Sequence, residues 1–264
     1  MTDRTPTGDT SSPRLAGKTA LVTGSTRGIG RTVAERLGRE GAKNIVSGRD
    51  QADVDRVIAE LAAMNIPASG LTADLSRPNE AHRLGERAIA MAGRLDILVN
   101  NAGMSLRGPF WDVSDADWEY QVNTNYRAPF ILAQHAARHM RQHGLLGRII
   151  NTSTVGAHRC HADAAVYDSA KAAVEGMTRN MAHELARDGI TVNCVIPGPI
   201  GDRPGSEHER PFWGQVSQNV PVGRVGTAAD VAAAVLFFAL PESLFTTGQS
   251  LLIDGGYAAP LPKE

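Results

Sequence analysis

The stretch Thr19-Ala-Leu-Val-Thr-Gly-Ser-Thr-Arg-Gly-Ile-Gly30 decides the fold that this sequence predicts. Its first five residues form an apolar, β-rich run that suits a buried strand, and a helix is expected from about Ile29 to Arg39. Between them the glycines are spaced Gly-x-x-x-Gly-x-Gly, which suits a tight turn into a helix N-terminus. Free N–H groups and the positive end of the helix dipole bind phosphate at such a terminus. A strand, a phosphate-binding loop and a helix are therefore predicted.

The same alternation of strand and helix continues along the chain. Further strands are predicted at 45–47, 68–73, 97–100, 148–152, 191–196 and 250–253. Helices are predicted at 53–64, 80–91, 115–143, 164–187 and 228–239, with a bend at Pro129 and an irregular segment at 198–220. Strands that alternate with helices of this length imply a parallel sheet covered on both faces. We predict an α/β protein with one doubly wound Rossmann domain, residues 14–264, and about seven strands.

Composition limits the possible partners and compartment. Residues 1–13 are rich in Thr, Ser, Pro and Asp and are expected to form a disordered tail. The formal net charge of -1 gives no reason to expect binding to nucleic acid or to anionic lipid. The longest apolar run, Val231 to Leu240, is too short to span a bilayer. Cys160 and Cys194 are the only cysteines and suggest no disulfide framework, so a cytoplasmic protein is expected.

The three glycines of the loop have separate expected roles. Gly24 can take the positive φ of the turn, Gly28 lets the backbone approach a pyrophosphate, and Gly30 allows tight packing of helix and strand. A glycine-rich loop alone is often only a tight turn. Its position after the first strand of a Rossmann pattern favours a dinucleotide as the ligand.

A tyrosine and a lysine in the helix predicted at 164–187 suggest the chemistry. Tyr167 and Lys171 are four residues apart, so they share one helix face. A phenol has a pKa of about 10, and a nearby ammonium is expected to lower it towards a useful range for proton transfer. Such a pair is most often a surface tyrosine beside a solvated lysine, so the pair alone is weak evidence.

Together these motifs resemble the short-chain dehydrogenase/reductase family. The resemblance covers about Leu15 to Ala259 and lies in motifs that come in family order. They are Thr23-Gly24-x-x-x-Gly28-Ile29-Gly30, Asn100-Asn101-Ala102-Gly103, Tyr167-x-x-x-Lys171, Val192-Asn193, Pro197-Gly198 and Asp254-Gly255-Gly256. The resemblance implies an oxidoreductase that transfers hydride between a nicotinamide and a ketone or secondary alcohol.

It also implies four catalytic residues. Tyr167 would protonate the carbonyl oxygen, and Lys171 would hold the nicotinamide ribose and lower the tyrosine pKa. Asn125 would kink the long helix and hold a water, with Asn123 as a less well-spaced alternative. Thr154 stands where the family usually has a serine that bonds the substrate oxygen. Ser153 precedes it, and because neighbours in an extended chain point to opposite faces, we favour Thr154.

The cofactor is expected to be NADP(H). The predicted second strand ends at Gly48, where NAD enzymes usually carry an acidic residue, and Arg49 follows it. Arg27 adds a second cation able to contact a 2′-phosphate, although both arginines could be solvated and Asp50 is a complication. The full set of implied cofactor-binding residues is Gly24, Ser25, Thr26, Arg27, Gly28, Ile29, Gly30, Arg49, Asp74, Leu75, Asn101, Ala102, Gly103, Tyr167, Lys171, Pro197, Gly198 and Ile200.

Other interpretations remain open. An NAD-dependent sugar or polyol dehydrogenase is the nearest alternative, and a non-catalytic dinucleotide sensor or scaffold is the alternative of another class. His135, His139 and His143 lie at four-residue spacing, but a solvated or subunit-contact face is favoured over a metal site, so no metal is expected. Residues 198–220 are expected to form a substrate lid. The partner is expected to be a small molecule, and the assembly a homotetramer or homodimer.

Overall fold

A parallel sheet forms the centre of the computed structural model, which describes residues 13–201 and 210–259. Its strands are β1 (Thr19–Val22), β2 (Lys43–Gly48), β3 (Ala68–Thr72), β4 (Ile97–Asn100), β5 (Arg148–Thr152), β6 (Thr191–Pro197) and β7 (Ser250–Ile253). The spatial order of the seven strands is β3-β2-β1-β4-β5-β6-β7, and each neighbouring pair is parallel. The direction of strand succession reverses between β1 and β4. Ligands of such sheets bind in the crevice outside the carboxyl ends of the strands at this reversal.

Helices cover both faces of the sheet, as predicted. They are α1 (Gly28–Arg39), α2 (Gln51–Ala63), α3 (Glu80–Ala92), α4 (Asp115–Val122), α5 (Ala128–Gln142), α6 (Gly156–Arg159), α7 (Ala165–Leu185), α8 (Arg210–Ser217) and α9 (Ala228–Ala239). Alternate residues of a strand point to opposite faces. In β1, Val22 packs in the cluster with α1, α2 and α9, whereas Leu21 packs in the cluster with α3 and α5. The predicted α/β doubly wound class is therefore confirmed.

The long helix predicted at 115–143 is interrupted shortly before Pro129. A π-helical turn, Asn123–Arg127, separates α4 from α5, and the N–H of Ala128 donates to the carbonyl of Asn123. Pro129 is the second residue after the π turn and has no N–H to donate back to it. That Pro129 bends the helix stays a prediction, and the π turn is the irregularity that the sequence did not reveal.

Residues 198–220 were predicted to be irregular, but they contain α8, so the prediction is wrong for residues 210–217. Trp213 of α8 packs against the chain that follows β6. A Cβ built on Gly201 would lie only 3.1 Å from the Trp213 ring. Residues 202–209 of the predicted lid lie outside the described part of the chain, as does most of the predicted tail. The role of this segment as a lid stays a prediction.

The prediction of a solvated or subunit-contact histidine face on α5 is wrong in part: His143 is exposed, but His139 and, less completely, His135 are turned into the subunit. His139 is buried and its Nε2 accepts a hydrogen bond from the N–H of Leu95 at 3.2 Å. His135 meets His82 of α3, with 3.1 Å between ring nitrogens. The reason is that α5 packs directly on α3. No helix in the described residues has the length and apolarity to cross a membrane.

Candidate active site

The glycine loop lies at the carboxyl end of β1, between β2 and β4. Gly24 has φ +63° and Gly28 has φ +52°, so both occupy the left-handed region that favours glycine. A Cβ on Gly30 would lie 2.3 Å from the Gly24 carbonyl oxygen and 2.5 Å from Asn101 Nδ2, so Gly30 packs against the loop rather than the strand. A Cβ on Gly28 would meet nothing within 4 Å, which leaves its backbone open to a ligand.

The turn after β4 is joined to this loop by hydrogen bonds. Asn101 Nδ2 donates to the carbonyls of Thr23 and Gly24 at 3.0 and 3.2 Å. Thr23 Oγ1 accepts from the N–H groups of Asn101 and Ala102, both at 3.0 Å. The hydroxyl of Ser25 is turned inward, donating to Val22 O at 2.6 Å. These bonds fix the two walls of the crevice at the strand reversal.

Two neighbouring hydroxyls at the end of β5 point to different sides. The Thr154 hydroxyl lies close enough to the Tyr167 phenol to oppose the rise in its pKa. Ser153 is turned towards α7, where its Oγ lies 2.6 Å from Glu175 Oε1 and 3.1 Å from Lys171 O. The opposite orientation expected from the extended backbone is present, and it brings Thr154 rather than Ser153 to the tyrosine.

Lys171 is buried behind Tyr167 and holds the end of β5. Its side chain is 2% exposed, and Nζ donates to the carbonyl of Thr152 at 2.8 Å. Burial lowers the pKa of Lys171 to about 8. Burial also raises the pKa of Tyr167, with the Asp168 charge adding to the rise, while the Thr154 hydrogen bond and the Arg107 guanidinium oppose it. The expected lowering of the Tyr167 pKa is therefore wrong, because desolvation of the phenolate is the largest effect.

Asn125 lies in the π turn and closes the back of the site. It is fully buried, and its Oδ1 accepts from the N–H of Met104 at 3.0 Å. Its Nδ2 donates to the carbonyls of Met104 and Gln121 at 2.7 and 2.9 Å. A Cβ on Gly103 would lie 3.1 Å from Asn125 Oδ1 and 3.3 Å from Lys171 Nζ. The absence of a side chain at Gly103 thus lets the turn after β4 reach both residues.

The end of β2 carries exposed cations and no free carboxylate beside them. Arg27 and Arg49 are exposed, and Arg49 Nη1 donates to the Tyr120 hydroxyl at 3.1 Å. Asp50 begins α2 as its N-cap, with Oδ1 accepting from the N–H of Asp53 at 3.1 Å. Asp50 therefore caps a helix, and its charge remains next to Arg49.

The remaining predicted cofactor residues line the same edge of the sheet. Asp74 follows β3 and its Oδ1 accepts from the Ser76 hydroxyl at 2.7 Å, while Leu75 is buried in the core. Pro197 ends β6, and the N–H of Gly198 donates to Ile253 O at 3.0 Å. Ile200 forms an isolated parallel bridge with Gly226 beyond β6. All of them follow the carboxyl ends of strands.

Comparison with known proteins identifies this arrangement. The family model described as enoyl-(acyl carrier protein) reductase matches residues 24–258. The chain belongs to the short-chain dehydrogenase/reductase family. It is therefore a member of a family of dehydrogenases and reductases. The motif-based resemblance is confirmed.

Three similar proteins illustrate the range of this family. The chain is 35% identical over 252 residues to the (2S)-[(R)-hydroxy(phenyl)methyl]succinyl-CoA dehydrogenase subunit BbsD of Thauera aromatica, covering 92% of this chain and 97% of that one. A 3-oxoacyl (acyl-carrier-protein) reductase of Agrobacterium tumefaciens with NADP bound superposes with TM-score 0.87 at 29% identity, covering 94% and 96%. A variant of the actinorhodin polyketide ketoreductase with NADPH gives TM-score 0.85 at 32% identity, covering 92% and 98%.

The structure of this dehydrogenase/reductase also adds residues that the sequence did not reveal. Glu175 is buried one turn beyond Lys171 and contacts Ser153; its four-residue spacing from Lys171 was a usable signal. Arg107 influences Tyr167, and its Nη1 donates to Ala162 O at 3.4 Å. Because Arg107 lies in the loop after β4, no local pattern pointed to it.

Proposed function

We propose that this protein is an NADP(H)-dependent oxidoreductase that transfers hydride between nicotinamide and a ketone or secondary alcohol. The observation that carries the proposal is that Thr154 and Tyr167 neighbour each other beside buried Lys171, next to an open glycine loop. A bound nicotinamide would supply or accept the hydride. The residues of the chain then have only to bind, orient and move a proton.

Each catalytic residue has a task that follows from its surroundings. Tyr167 keeps its proton at neutral pH because burial raises its pKa, so its Oη can donate to a carbonyl oxygen during reduction. Thr154 can donate a hydrogen bond to the same oxygen and stabilise its developing negative charge. Lys171 holds a positive charge below about pH 8 behind the tyrosine. Asn125 fixes the turn at Met104 that carries the site's back wall.

The residues at the glycine loop fit a dinucleotide with a 2′-phosphate. The N-terminus of α1 has no side-chain cap and no acidic residue in its first turn, so phosphate can use its N–H groups. Arg27 and Arg49 are exposed cations at the adjoining loop and strand end. Gly48 offers no carboxylate that would repel a phosphate. These features support NADP(H) over NAD(H).

The cofactor preference is tested by measuring kcat/KM with NADPH and with NADH. We expect wild type to prefer NADPH and Arg49→Ala to lose part of that preference, since a charge-assisted hydrogen bond contributes about 1.5–3 kcal/mol. For a reversal, Gly48→Asp should be combined with Thr26→Ser. A Cβ at Gly48 would lie 2.5 Å from Thr26 Cγ2, which the serine removes. A wild-type enzyme that prefers NADH contradicts the proposal.

The substrate class is tested with a panel of ketones. Two of the similar proteins are named for thioester or acyl-carrier substrates, so β-ketothioesters come first, followed by aryl ketones and keto-sugars. We propose that residues 198–220 cover the substrate, because they follow β6 at the same sheet edge and α8 carries the exposed ring of Phe212. If the protein turned over no ketone or alcohol, the alternative of a non-catalytic dinucleotide sensor or scaffold would be favoured.

We also propose that the protein is a homotetramer or homodimer. Trp118 of α4 and Phe130 of α5 are 51% and 41% exposed. Ala172 and Ala173 of α7 are exposed as well, so these small side chains do not pack inside the subunit. Large apolar side chains on neighbouring helices suit a subunit contact. Light scattering that gives only the 28.1 kDa species contradicts this proposal.

A further inference from the structure

Glu175 is a buried carboxylate that the proposed proton transfer does not use. It lies on α7 one turn beyond Lys171 and two turns beyond Tyr167, so the three share a helix face. Its side chain is 8% exposed, and within the described residues its ion-pair partner is His158, with 3.0 Å from Nε2 to Oε2. Carboxylates are seldom buried to this extent without a specific set of partners.

The two partners of Glu175 stand on either side of Thr154. Ser153 precedes Thr154 directly, and its Oγ is 2.6 Å from Glu175 Oε1, a length typical of a hydroxyl donating to a carboxylate. Ser153 has one hydroxyl proton, so it can donate to only one of the two acceptors. The 3.1 Å distance to Lys171 O makes that bond the weaker alternative to the one with Glu175. His158 lies in α6, four residues after Thr154. One carboxylate therefore holds both ends of the turn that carries Thr154.

We propose that Glu175 is a positioning residue, which fixes the turn that carries Thr154 against α7, the helix that carries Tyr167. This inference rests on the proposed function of Thr154. Thr154 lies on a turn and Tyr167 on a helix, and rate is sensitive to displacements of about 1 Å between reacting groups. Through its contacts to Ser153 and His158, Glu175 of α7 holds both ends of the Thr154 turn against the helix.

The test is a double-mutant cycle between Glu175→Ala and Thr154→Ala. Turnover is measured as NADPH consumption with the best β-ketothioester or ketone of the panel, with single-turnover kinetics for the slow variants. We expect Glu175→Ala to lower kcat about ten- to a hundredfold in the wild-type background. In the Thr154→Ala background the same change should lower kcat by less than about twofold, because the group that it positions is already absent.

Further variants separate positioning from general stability. Glu175→Gln keeps an oxygen that can accept from Ser153, so it should recover most of the lost kcat. Asp96→Asn removes a buried carboxylate at the other end of the sheet, and it should cost stability while leaving kcat unchanged in both backgrounds. Hydrogen exchange should rise in residues 153–158 of Glu175→Ala and not around Asp96. Where Glu175→Ala does not fold, Ser153→Ala enters the same cycle, with a smaller expected loss.

Two results would overturn the inference. One is a folded Glu175→Ala variant with wild-type kcat, and the other is a pair of losses that multiply in the double variant. Failure of the proposed function gives a different result, since wild type would then turn over no ketone, and failure of the Thr154 role alone would leave Thr154→Ala with wild-type kcat. The two failures are thus distinguishable in one set of assays.

Discussion

Two buried charged side chains, Asp96 at the amino end of the sheet and Lys171 at the carboxyl end, have opposite surroundings. At the amino end, Asp96 is 1% exposed and accepts from Arg94 at 2.7 Å, Lys18 at 3.2 Å and the N–H of Thr19 at 3.0 Å. At the carboxyl end, Lys171 is 2% exposed and donates to the carbonyl of Thr152. No carboxylate of the described residues forms an ion pair with Lys171.

This difference appears in the pKa values of the two groups. Burial by itself would raise the pKa of Asp96, but hydrogen bonds from Arg94 and Thr19 and the charge of Lys18 bring it below its usual value. The pKa of Lys171 instead falls to about 8 because burial is not offset. The charge of Asp96 is thus compensated by its partners, whereas that of Lys171 is not. Such incomplete compensation is typical of functional sites.

The largest predicted effect is that of Tyr167→Phe. It removes the transferable proton and keeps the ring, so kcat should fall by about 10²–10⁴-fold. Because no core contact is lost, the melting temperature should stay close to that of wild type, and NADPH should still bind. Turnover is measured with the best ketone of the panel and NADPH binding by protein fluorescence. Near-wild-type kcat in the purified variant would exclude Tyr167 as the proton donor.

Next in size is the effect of the hydroxyl at the end of β5. Thr154→Ala removes a donor to the developing alkoxide and should lower kcat about 10²–10³-fold. Thr154→Ser keeps the donor and should retain most of the activity. Ser153→Ala should be milder than Thr154→Ala, since its hydroxyl faces Glu175. If Ser153→Ala were inactive and Thr154→Ala nearly normal, the assignment of the two hydroxyls would be reversed. Both are assayed against the same ketone.

Much of the fold could be predicted from the sequence, for identifiable physical reasons. The bounds of β4, β5, α9 and β7 match the predicted residues, because short apolar runs between polar or glycine boundaries leave little freedom. The role of Gly24 in the turn was likewise a local feature. Local patterns therefore gave the sheet and most of its edge.

Other features depend on contacts between distant segments. The π turn at Asn123–Arg127 differs from an α-helix by a single residue per turn, and no side-chain pattern marks it. The position of Arg107 depends on the bond from the N–H of Gly108 to Asp163 O at 3.0 Å. The rise in the Tyr167 pKa depends on burial that only the folded chain creates. A sequence records none of these directly.

The amino end gives a prediction about stability rather than turnover. Asp96→Asn keeps the shape of the side chain and weakens hydrogen bonds to charged partners, so the free energy of unfolding should fall by about 1.5–3 kcal/mol. Because the folded-state pKa lies below the unfolded value of about 3.9, this stabilisation is present above that value and is lost as the pH falls through the folded pKa. The difference from wild type should therefore shrink in strong acid. Urea unfolding at several pH values measures it, and a difference that grows with acidity contradicts it.

The smallest predicted effect concerns the titration of Lys171. With a pKa of about 8, its charge is lost as the pH rises through that value, and any NADPH affinity that depends on the charge is lost with it. A single ionisation near 8 permits at most about a fourfold fall in affinity between about pH 7 and about pH 8.5. Tyr167 cannot produce this fall, because its pKa is raised above the usual phenol value of about 10. NADPH binding by Tyr167→Phe should therefore show the same pH dependence as wild type, and Asp96→Asn should show it too. If the dependence vanished in Tyr167→Phe, the phenol would be the titrating group. If it were absent from wild type, the Lys171 charge would not contribute to cofactor binding, and the contrast between the two ends of the sheet would have no functional consequence.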